Sequence, residues 1–483
     1  MISLGAGLVV AAYVLTITAL PTRWTFAFIF VGLGFLGAAL LLGSVRNVLL
    51  AALLLDIPFR LDIELGYAVE SGEQGALAGW LVSVTTMALV GLYALRLVEG
   101  ALGRTRDAPQ GWVRTCLPGA AYVAAVAVSG LTAYSVRLTV YELFLLLQML
   151  LLYVYLVTAV RTRQEVGFVA GVLVFGLLLQ ALVMIGIRFS GGGFEVGGLK
   201  FVTAEGRIGG TVGHPNVAAG YLGLVLAPTL SLLAAPVGRG YRVVAGSAWA
   251  AGLIALLLTG SRGGLAAFLV SHVLLVWFLW RRGWVSAKAP VGIAVVAVLL
   301  GAGLSQEIAS RLQAQQAAYA RIPLAWVAFR MIGEHPLAGV GGNNSPVLME
   351  RYVPRELTDE WLARIHNKYL LVLAETGPLG LLTFLWLLLA TLRRGWRAAG
   401  RGDPRLAPLA LGFSAALAGI MLHMLVDAFS SNTRPLLQIF WVVAGLTAAM
   451  DIISRERAGS RPSASTRRDA GARPARDTGG KPR

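Results

Sequence analysis

Apolar segments of about 20 residues recur from one end of this 483-residue chain to the other. A helix needs about 20 apolar residues to cross the hydrocarbon core of a bilayer, and it satisfies its own backbone hydrogen bonds there. Only 13% of the residues are charged, whereas soluble domains carry roughly 25%. The sequence therefore predicts an all-α integral membrane protein.

Breaks at charged and Gly/Pro-rich positions divide the chain into fourteen candidate spans. We expect twelve to fourteen membrane helices, because the segment 47–59 is short enough to be re-entrant. No basic leader with a cleavage site precedes the first segment, so 4–20 is expected to be a retained helix. The candidate spans are 4–20, 25–43, 47–59, 75–99, 113–133, 136–160, 166–188, 216–236, 242–260, 263–280, 290–305, 367–392, 406–428 and 435–453.

The basic residues lie in short connections between the apolar segments, although the net charge is +17. A nucleic-acid-binding protein would gather them on one soluble face, so we expect no nucleic-acid partner. Positively charged loops stay in the cytoplasm, which places 103–114, 393–405 and both termini on that side. Residues 454–483 contain almost nothing apolar and are expected to form a disordered basic cytoplasmic tail.

Three polar motifs fall at the opposite, outer ends of the predicted spans. A Gly-rich segment runs from Arg207 to Asn216, Arg262 follows the tripeptide 259–261, and His366 precedes a predicted span. Glycines let backbone N–H groups approach an anion, and arginine offers paired donors to phosphate. Each motif alone also fits a flexible loop, an interfacial arginine or a helix-start histidine. Together, two arginines suit a diphosphate, and a histidine suits a general base on a hydroxyl nucleophile.

Further polar residues could support such a site. Glu375 precedes Gly377 and Pro378, so we expect it at a helix break facing the bundle interior, as a functional carboxylate or a structural ion pair. His423 and Asp427 are four residues apart and share a helix face. The remaining supporting candidates are Asn216, Ser261 and Asn367.

The residue types argue against metal and cofactor sites. Cys116 is the single cysteine, which excludes an intramolecular disulfide and a thiolate cluster. The sequence has no four histidines or carboxylates at metal-ligand spacing and no Walker A or dinucleotide motif. We therefore expect neither a metal nor a cofactor.

Four motifs in this order resemble the O-antigen ligase family, over roughly residues 200–430. They are Arg207-x-x-Gly…Pro-Asn216, Thr-Gly-Ser-Arg262-Gly-Gly, Arg330-Met-Ile-x-x-His-Pro-Leu-x-Gly-Val-Gly341 and His366-Asn-x-Tyr-Leu…Glu375-Thr-Gly. The resemblance implies a GT-C-type glycosyltransferase of the bacterial inner membrane that takes a glycan from undecaprenyl diphosphate at the periplasmic face. It also implies that Arg207 and Arg262 engage the carrier diphosphate, and that His366 is the base on the acceptor hydroxyl.

This reading divides the chain into three parts. Residues 1–200 form N-terminal transmembrane helices, 201–453 a catalytic membrane domain with a long helical periplasmic loop at 306–366, and 454–483 the tail. In that loop Ile322, Trp326 and Phe329 recur at helical spacing, which predicts an amphipathic helix. Tyr352 and Trp361 are candidates for stacking on acceptor sugars.

The leading functional interpretation is a ligase that attaches the glycan to a lipid A core sugar. An O-antigen polymerase would use the same donor, with a lipid-linked repeat as acceptor. A transporter or lipid flippase is the alternative from another class. It would need a polar path through the middle of the membrane, where the sequence offers little beyond His272 and Glu375.

Overall fold

A computed structural model gives the structure of the chain and describes residues 44–104, 106–196, 199–204, 206–289, 291, 292, 295, 321–353, 365–429 and 433–459. Ten helices in these ranges are long and apolar enough to cross a membrane. The protein is therefore a mostly helical, multi-pass membrane protein, which confirms the predicted fold class.

Eleven of the fourteen predicted spans fall within the described ranges, and each contains a helix. The spans predicted at 4–20, 25–43 and 290–305 lie outside them, apart from residues 291, 292 and 295, so the total of twelve to fourteen stays a prediction. The helices are α1 Val45–Phe59, α2 Val69–Glu73, α3 Val84–Ala101, α4 Trp112–Ser129, α5 Val136–Ala159, α6 Arg163–Ser190, α7 Pro215–Ser231, α8 Arg239–Leu258, α9 Arg262–Arg281, α10 Arg321–Glu334, α11 Ser345–Tyr352, α12 Lys368–Gly400, α13 Leu406–His423 and α14 Arg434–Gly459.

Two small antiparallel sheets at one end of the bundle were not predicted. β1 (Asp62–Leu65) pairs with β2 (Trp80–Ser83), and β3 (Phe194–Val196), β4 (Leu199–Ala204) and β5 (Arg207–Gly210) form the second sheet in that order. The start of the span predicted at 75–99 is wrong, because residues 80–83 form β2 and the helix begins at Val84. Ser83 then caps α3 by accepting a hydrogen bond from the backbone of Thr86.

The centre of the bundle is formed by α7, α13 and α14, whose apolar segments are mostly buried, whereas α3 and α8 lie at the periphery. Small residues bring the central helices together. A Cβ atom added at Gly412 would lie 2.6 Å from Cα of Pro228 in α7. One added at Gly419 would lie 2.6 Å from the carbonyl oxygen of Ala267 in α9. The close approach of α9 to α13 positions the residues described below.

α12 bends sharply at Gly377, whose φ of 66° is strained for any residue with a side chain. Pro378 follows, and a proline inside a helix removes one backbone hydrogen bond. The bend receives the 337–341 segment, because a Cβ atom at Gly377 would lie 2.2 Å from the carbonyl oxygen of Leu337. The kink thus fixes part of the long loop against the membrane helices.

The helix predicted around Trp326 and Phe329 is present as α10. Its buried face carries Leu324, Val327 and Met331, whereas Trp326 and Phe329 are exposed and contact each other edge to face. The helix therefore packs one apolar face on the protein, and its aromatic side faces outward. The loop segments 306–320 and 354–364 lie outside the described residues, and Trp361 lies with them.

Candidate functional site

Arg207 begins β5 and connects two of the predicted motifs. Its Nε donates to the carbonyl oxygen of Thr259 at 2.8 Å, and its Nη2 donates to Oδ1 of Asn216 at 2.5 Å. The aliphatic part of the side chain lies over Gly260, where an added Cβ atom would be 3.4 Å from Cγ of Arg207. The guanidinium is therefore held rigidly between the Gly-rich segment and the turn at 259–264.

That turn presents Arg262 at the start of α9. Gly260 has a φ of 56°, which allows the tight reversal. Ser261 is buried and caps α9 by accepting from the backbone N–H of Gly264 at 3.2 Å. Arg262 itself is exposed, and its side chain has no partner among the described residues. A helix N-terminus carries partial positive charge, so the backbone and the guanidinium both favour an anion here.

His423, the last residue of α13, packs against this first turn of α9. A Cβ atom added at Gly263 would lie 2.8 Å from Cδ2 of His423. The imidazole is buried and meets the ring of Phe429 edge to face, with centroids 4.8 Å apart. The second motif therefore touches Arg207 on one side and His423 on the other.

His366 lies just before α12, and its side chain faces Asp427, which follows α13. Nδ1 of His366 lies 3.9 Å from Oδ1 of Asp427, and the histidine side chain is 38% exposed. Burial raises the pKa of Asp427, but His366 and His423 beside it lower the pKa more, so the carboxyl is more acidic than an ordinary aspartate. An ionised carboxylate in this position stabilises a protonated imidazole. The arrangement can therefore accept a proton from a hydroxyl group.

The segment around His366 is fixed by its neighbours. Oδ1 of Asn367 accepts from the backbone N–H groups of Tyr369 and Leu370, both at 3.0 Å, and so caps α12. The amide of Asn367 donates to the carbonyl oxygen of Leu425 at 3.0 Å. The backbone of Lys368 donates to Met424 at 2.8 Å. Asn367 thus holds the 424–427 segment beside His366.

Successive contacts join these residues into one surface, which we name the Arg207–His366 patch. It runs from Arg207 across the 259–264 turn to His423 and on to Asp427 and His366. Residues 247–385, which carry that turn and His366, match the family model described as O-antigen ligase. In this part the chain is similar to the O-antigen ligase family. A comparison with curated proteins found no match.

The match to the O-antigen ligase family model supports a glycosyltransferase-like function of the ligase or polymerase type. The matched residues include Arg262, His366 and Glu375, whereas Arg207, His423 and Asp427 lie outside them. Among the described residues, no group of three histidines, cysteines or carboxylates could hold a metal ion.

Within the matched segment, Glu375 is buried two residues before the α12 kink at Gly377, and its carboxylate accepts hydrogen bonds. Its Oε1 accepts from the backbone N–H of Ser345 at 3.2 Å and from the hydroxyl of Ser345 at 2.7 Å. Its carbonyl oxygen accepts from Gly341 at 2.9 Å. Buried Glu142 and Lys368 lie close enough to act on its charge. These contacts place Glu375 beneath the loop that it holds.

Tyr352 does not present an exposed ring. It is 8% exposed at the end of α11, and its hydroxyl donates to Oε2 of Glu334 at 2.6 Å. Burial first, and then Glu334, raise the pKa of Tyr352 to about 12. Tyr352 is predicted to stack on an acceptor sugar, but in this structure its ring is packed inside the loop.

A buried ion cluster lies behind the Gly-rich segment and is not predicted from the sequence. Nη1 of Arg434, 1% exposed, lies 2.5 Å from Oδ2 of Asp62, and its Nη2 lies 3.7 Å from Oδ2 of Asp56. Burial raises the pKa of Asp62, although Arg434 and Arg60 oppose it. Arg60 in turn approaches Gly213, where an added Cβ atom would lie 2.9 Å from its Nη1. Asp56 is a lone aspartate within the apolar run 47–59, and this feature of the sequence could have indicated the cluster.

Proposed function

We propose that the chain transfers a glycan from an undecaprenyl-diphosphate carrier to an acceptor hydroxyl, with a lipid A core sugar as the leading acceptor. The observation that carries the proposal is the continuity of the Arg207–His366 patch. It sets two guanidinium groups and a helix N-terminus beside an imidazole paired with a carboxylate. Anion binding and proton removal are the two tasks that such a transfer sets for a protein.

In this proposal the carrier diphosphate binds at Arg262 and the first turn of α9. Arg207, fixed by Thr259 and Asn216, adds a second positive charge beside the same turn. As the bond between the anomeric carbon and the diphosphate oxygen breaks, negative charge grows on the leaving diphosphate. Preorganised donors stabilise such charge without a cost of reorganisation at that moment.

His366 then acts on the acceptor. Its imidazole takes the proton as the acceptor oxygen forms the new bond to the anomeric carbon, and Asp427 stabilises the imidazolium that results. The free carrier diphosphate leaves. Charge neutralisation by the arginines is the role that a metal ion fills in other enzymes, so the proposal needs neither metal nor cofactor.

The patch is proposed to face the periplasm of a bacterial inner membrane, with both termini in the cytoplasm. Its helix ends carry fewer basic residues than the other ends of the same helices, where arginines cluster, as in the stretch 393–405 that spans the end of α12. Cys116 is the single cysteine and is buried, so single-cysteine labelling can test this. Arg104→Cys should react from the cytoplasm and Glu195→Cys from outside. The reverse pattern would overturn the orientation.

A polymerase would use the same donor residues, and the family match fits either type. The decisive experiment is to delete the gene and examine the glycans that accumulate. Lipid-linked polymer should accumulate if the chain is a ligase, and single unpolymerised repeats if it is a polymerase. An unchanged glycan profile would contradict both types. Loss of carrier transport with glycan transfer still intact in the deletion strain would also contradict both, and it would favour a transporter.

A further inference from the structure

The end of the bundle opposite the Arg207–His366 patch contains a second concentration of positive charge. α1 ends near the patch, since Arg60 approaches Gly213, and its first turn, with Arg46, therefore lies at the opposite end. Here the ends of α1, α3 and α5 enclose a cleft of about 440 Å³. Five arginines line it, and we name it the inner arginine cleft: Arg46, Arg96, Arg104, Arg106 and Arg161.

Carboxylates do not balance these charges. Among the described lining residues, Glu99 is the single carboxylate. Glu165, behind the cleft, is shared between Arg46 at 2.7 Å and Arg106 at 3.6 Å. Arg161 reaches Glu456 at 3.2 Å. The cleft therefore keeps an excess of positive charge that favours an anion.

Two of the arginines lack a carboxylate partner within the described chain. Arg96 lies inside α3 and donates to the neutral hydroxyl of Thr158 at 2.5 Å. Arg104 is exposed, and its side chain has no hydrogen bond to a described residue. A charged side chain within a membrane helix is costly unless it is paired or reaches a polar surface. An anionic ligand in the cleft would supply the missing partner for both.

Exposed apolar side chains lie beside the cleft. Leu97 and Val98, next to Arg96 on α3, are exposed apolar residues, which suit contact with acyl chains. Arg46 lies in the first turn of α1, and Arg104 and Arg161 follow the ends of α3 and α5. Basic pockets at such positions between membrane helices bind phosphate-bearing lipid head groups. A volume of about 440 Å³ lies within the usual range for ligand sites.

We propose that the inner arginine cleft binds the phosphate head group of an anionic phospholipid from the leaflet opposite the Arg207–His366 patch. The guanidinium groups of Arg96 and Arg104 contact the phosphate, and Arg46 and Tyr155, which hydrogen bond to each other, form the back wall. Arginines that served only to fix topology would have no reason to converge from several elements on one cleft. The proposal does not depend on the transferase function.

The test uses the full-length chain in neutral detergent, with bound lipid counted by native mass spectrometry. Cardiolipin and phosphatidylglycerol are the anionic probes, phosphatidylcholine the neutral probe, and inorganic phosphate the soluble probe. Each arginine near a membrane surface contributes about a fivefold change in affinity for an anionic lipid. Arg96→Gln and Arg104→Gln should each weaken cardiolipin binding by about that factor.

Arg393→Gln is the matched control, because Arg393 is exposed at the same end of the bundle but does not line the cleft. It should bind anionic lipid as the parent does. Arg104 is exposed, so Arg104→Gln reports on binding without a risk to folding. Equal affinity of parent and both cleft variants would overturn the proposal. Binding of phosphatidylcholine as tightly as cardiolipin would overturn it too. If inorganic phosphate saturated the cleft at the same affinity as cardiolipin, the ligand would be a free anion instead of a lipid.

Discussion

Nδ1 of His366 lies 3.9 Å from Oδ1 of Asp427, although 61 positions of sequence separate the two residues. The distance exceeds that of a hydrogen bond, and catalytic hydrogen bonds are often long before substrate binds. Asn367 holds the two chain segments together from one side through the carbonyl oxygen of Leu425. A small movement of the partly exposed imidazole would close the contact.

Replacement of His366 by alanine should slow transfer and leave donor binding nearly unchanged. A missing general base typically costs about 10²–10⁴ in rate, whereas both arginines remain in place for the diphosphate. Single-turnover transfer and donor binding, measured with a purified lipid-linked glycan, separate the two effects. His335→Ala is the control, because His335 is an exposed turn residue outside the patch. Transfer by His366→Ala at the parental rate would remove the base assignment.

Asp427 should make the stability of the fold depend on pH in acid. Its pKa is lowered in the folded chain, so its ionised form stabilises the fold above the ordinary aspartate pKa of about 4. That contribution is lost as the pH falls through the lower folded-state value. Asp427→Asn should therefore lower Tm at pH 6, and its difference from the parent should shrink below about pH 4. Thermal unfolding in detergent measures this, with the exposed Glu73→Gln as control. A difference that grows in acid would contradict the prediction.

The membrane-spanning helices could be predicted from hydropathy because each is long and apolar. The strands could not, since each has three to six residues and depends on pairing with a distant segment. Charge distribution predicts that Arg207, Arg262 and His366 lie at one membrane face. The contact of His423 with Gly263 needed the packing of α9 on α13, which a linear pattern does not contain.

The buried side chains follow the same division. Glu375 and its helix break were visible in the sequence, whereas its bond to Ser345 depends on the loop that enters the kink. The sequence predicts that Tyr352 stacks on a sugar, whereas its hydroxyl donates to Glu334, 18 positions away, inside the loop. The pairing of Arg434 with Asp62 joins opposite ends of the described chain. Sequence thus indicates which residues carry chemistry better than it indicates which partner each one meets.

Arg262→Lys should weaken donor binding although it keeps the positive charge. A guanidinium offers paired donors in a plane that an ammonium cannot copy. Loss of a charge-assisted contact costs about 1.5–3 kcal/mol, or about 10- to 100-fold in Kd. Arg207→Ala should behave alike, because it removes both the charge and the bond to Thr259. Arg188→Lys, at an exposed arginine of the same end of the bundle, is the control. Normal binding and transfer by both patch variants would place the diphosphate site elsewhere.

Gly263→Ala should disturb the middle of the patch without removing a polar group. The new Cβ atom would lie 2.8 Å from Cδ2 of His423 and from Cγ2 of Val426, closer than these atoms can approach. Overpacking of this kind costs about 1–3 kcal/mol, and the strain falls on the segment that holds Asp427 opposite His366. We expect the transfer rate to fall at least about tenfold, which corresponds to about 1.4 kcal/mol. Gly240→Ala is the matched control, because nothing lies within 4 Å of its added Cβ atom. That change in the first turn of α8 should leave the rate unchanged. If Gly263→Ala transfers at the parental rate and Tm, the contact between α9 and α13 does not position the Asp427–His366 pair.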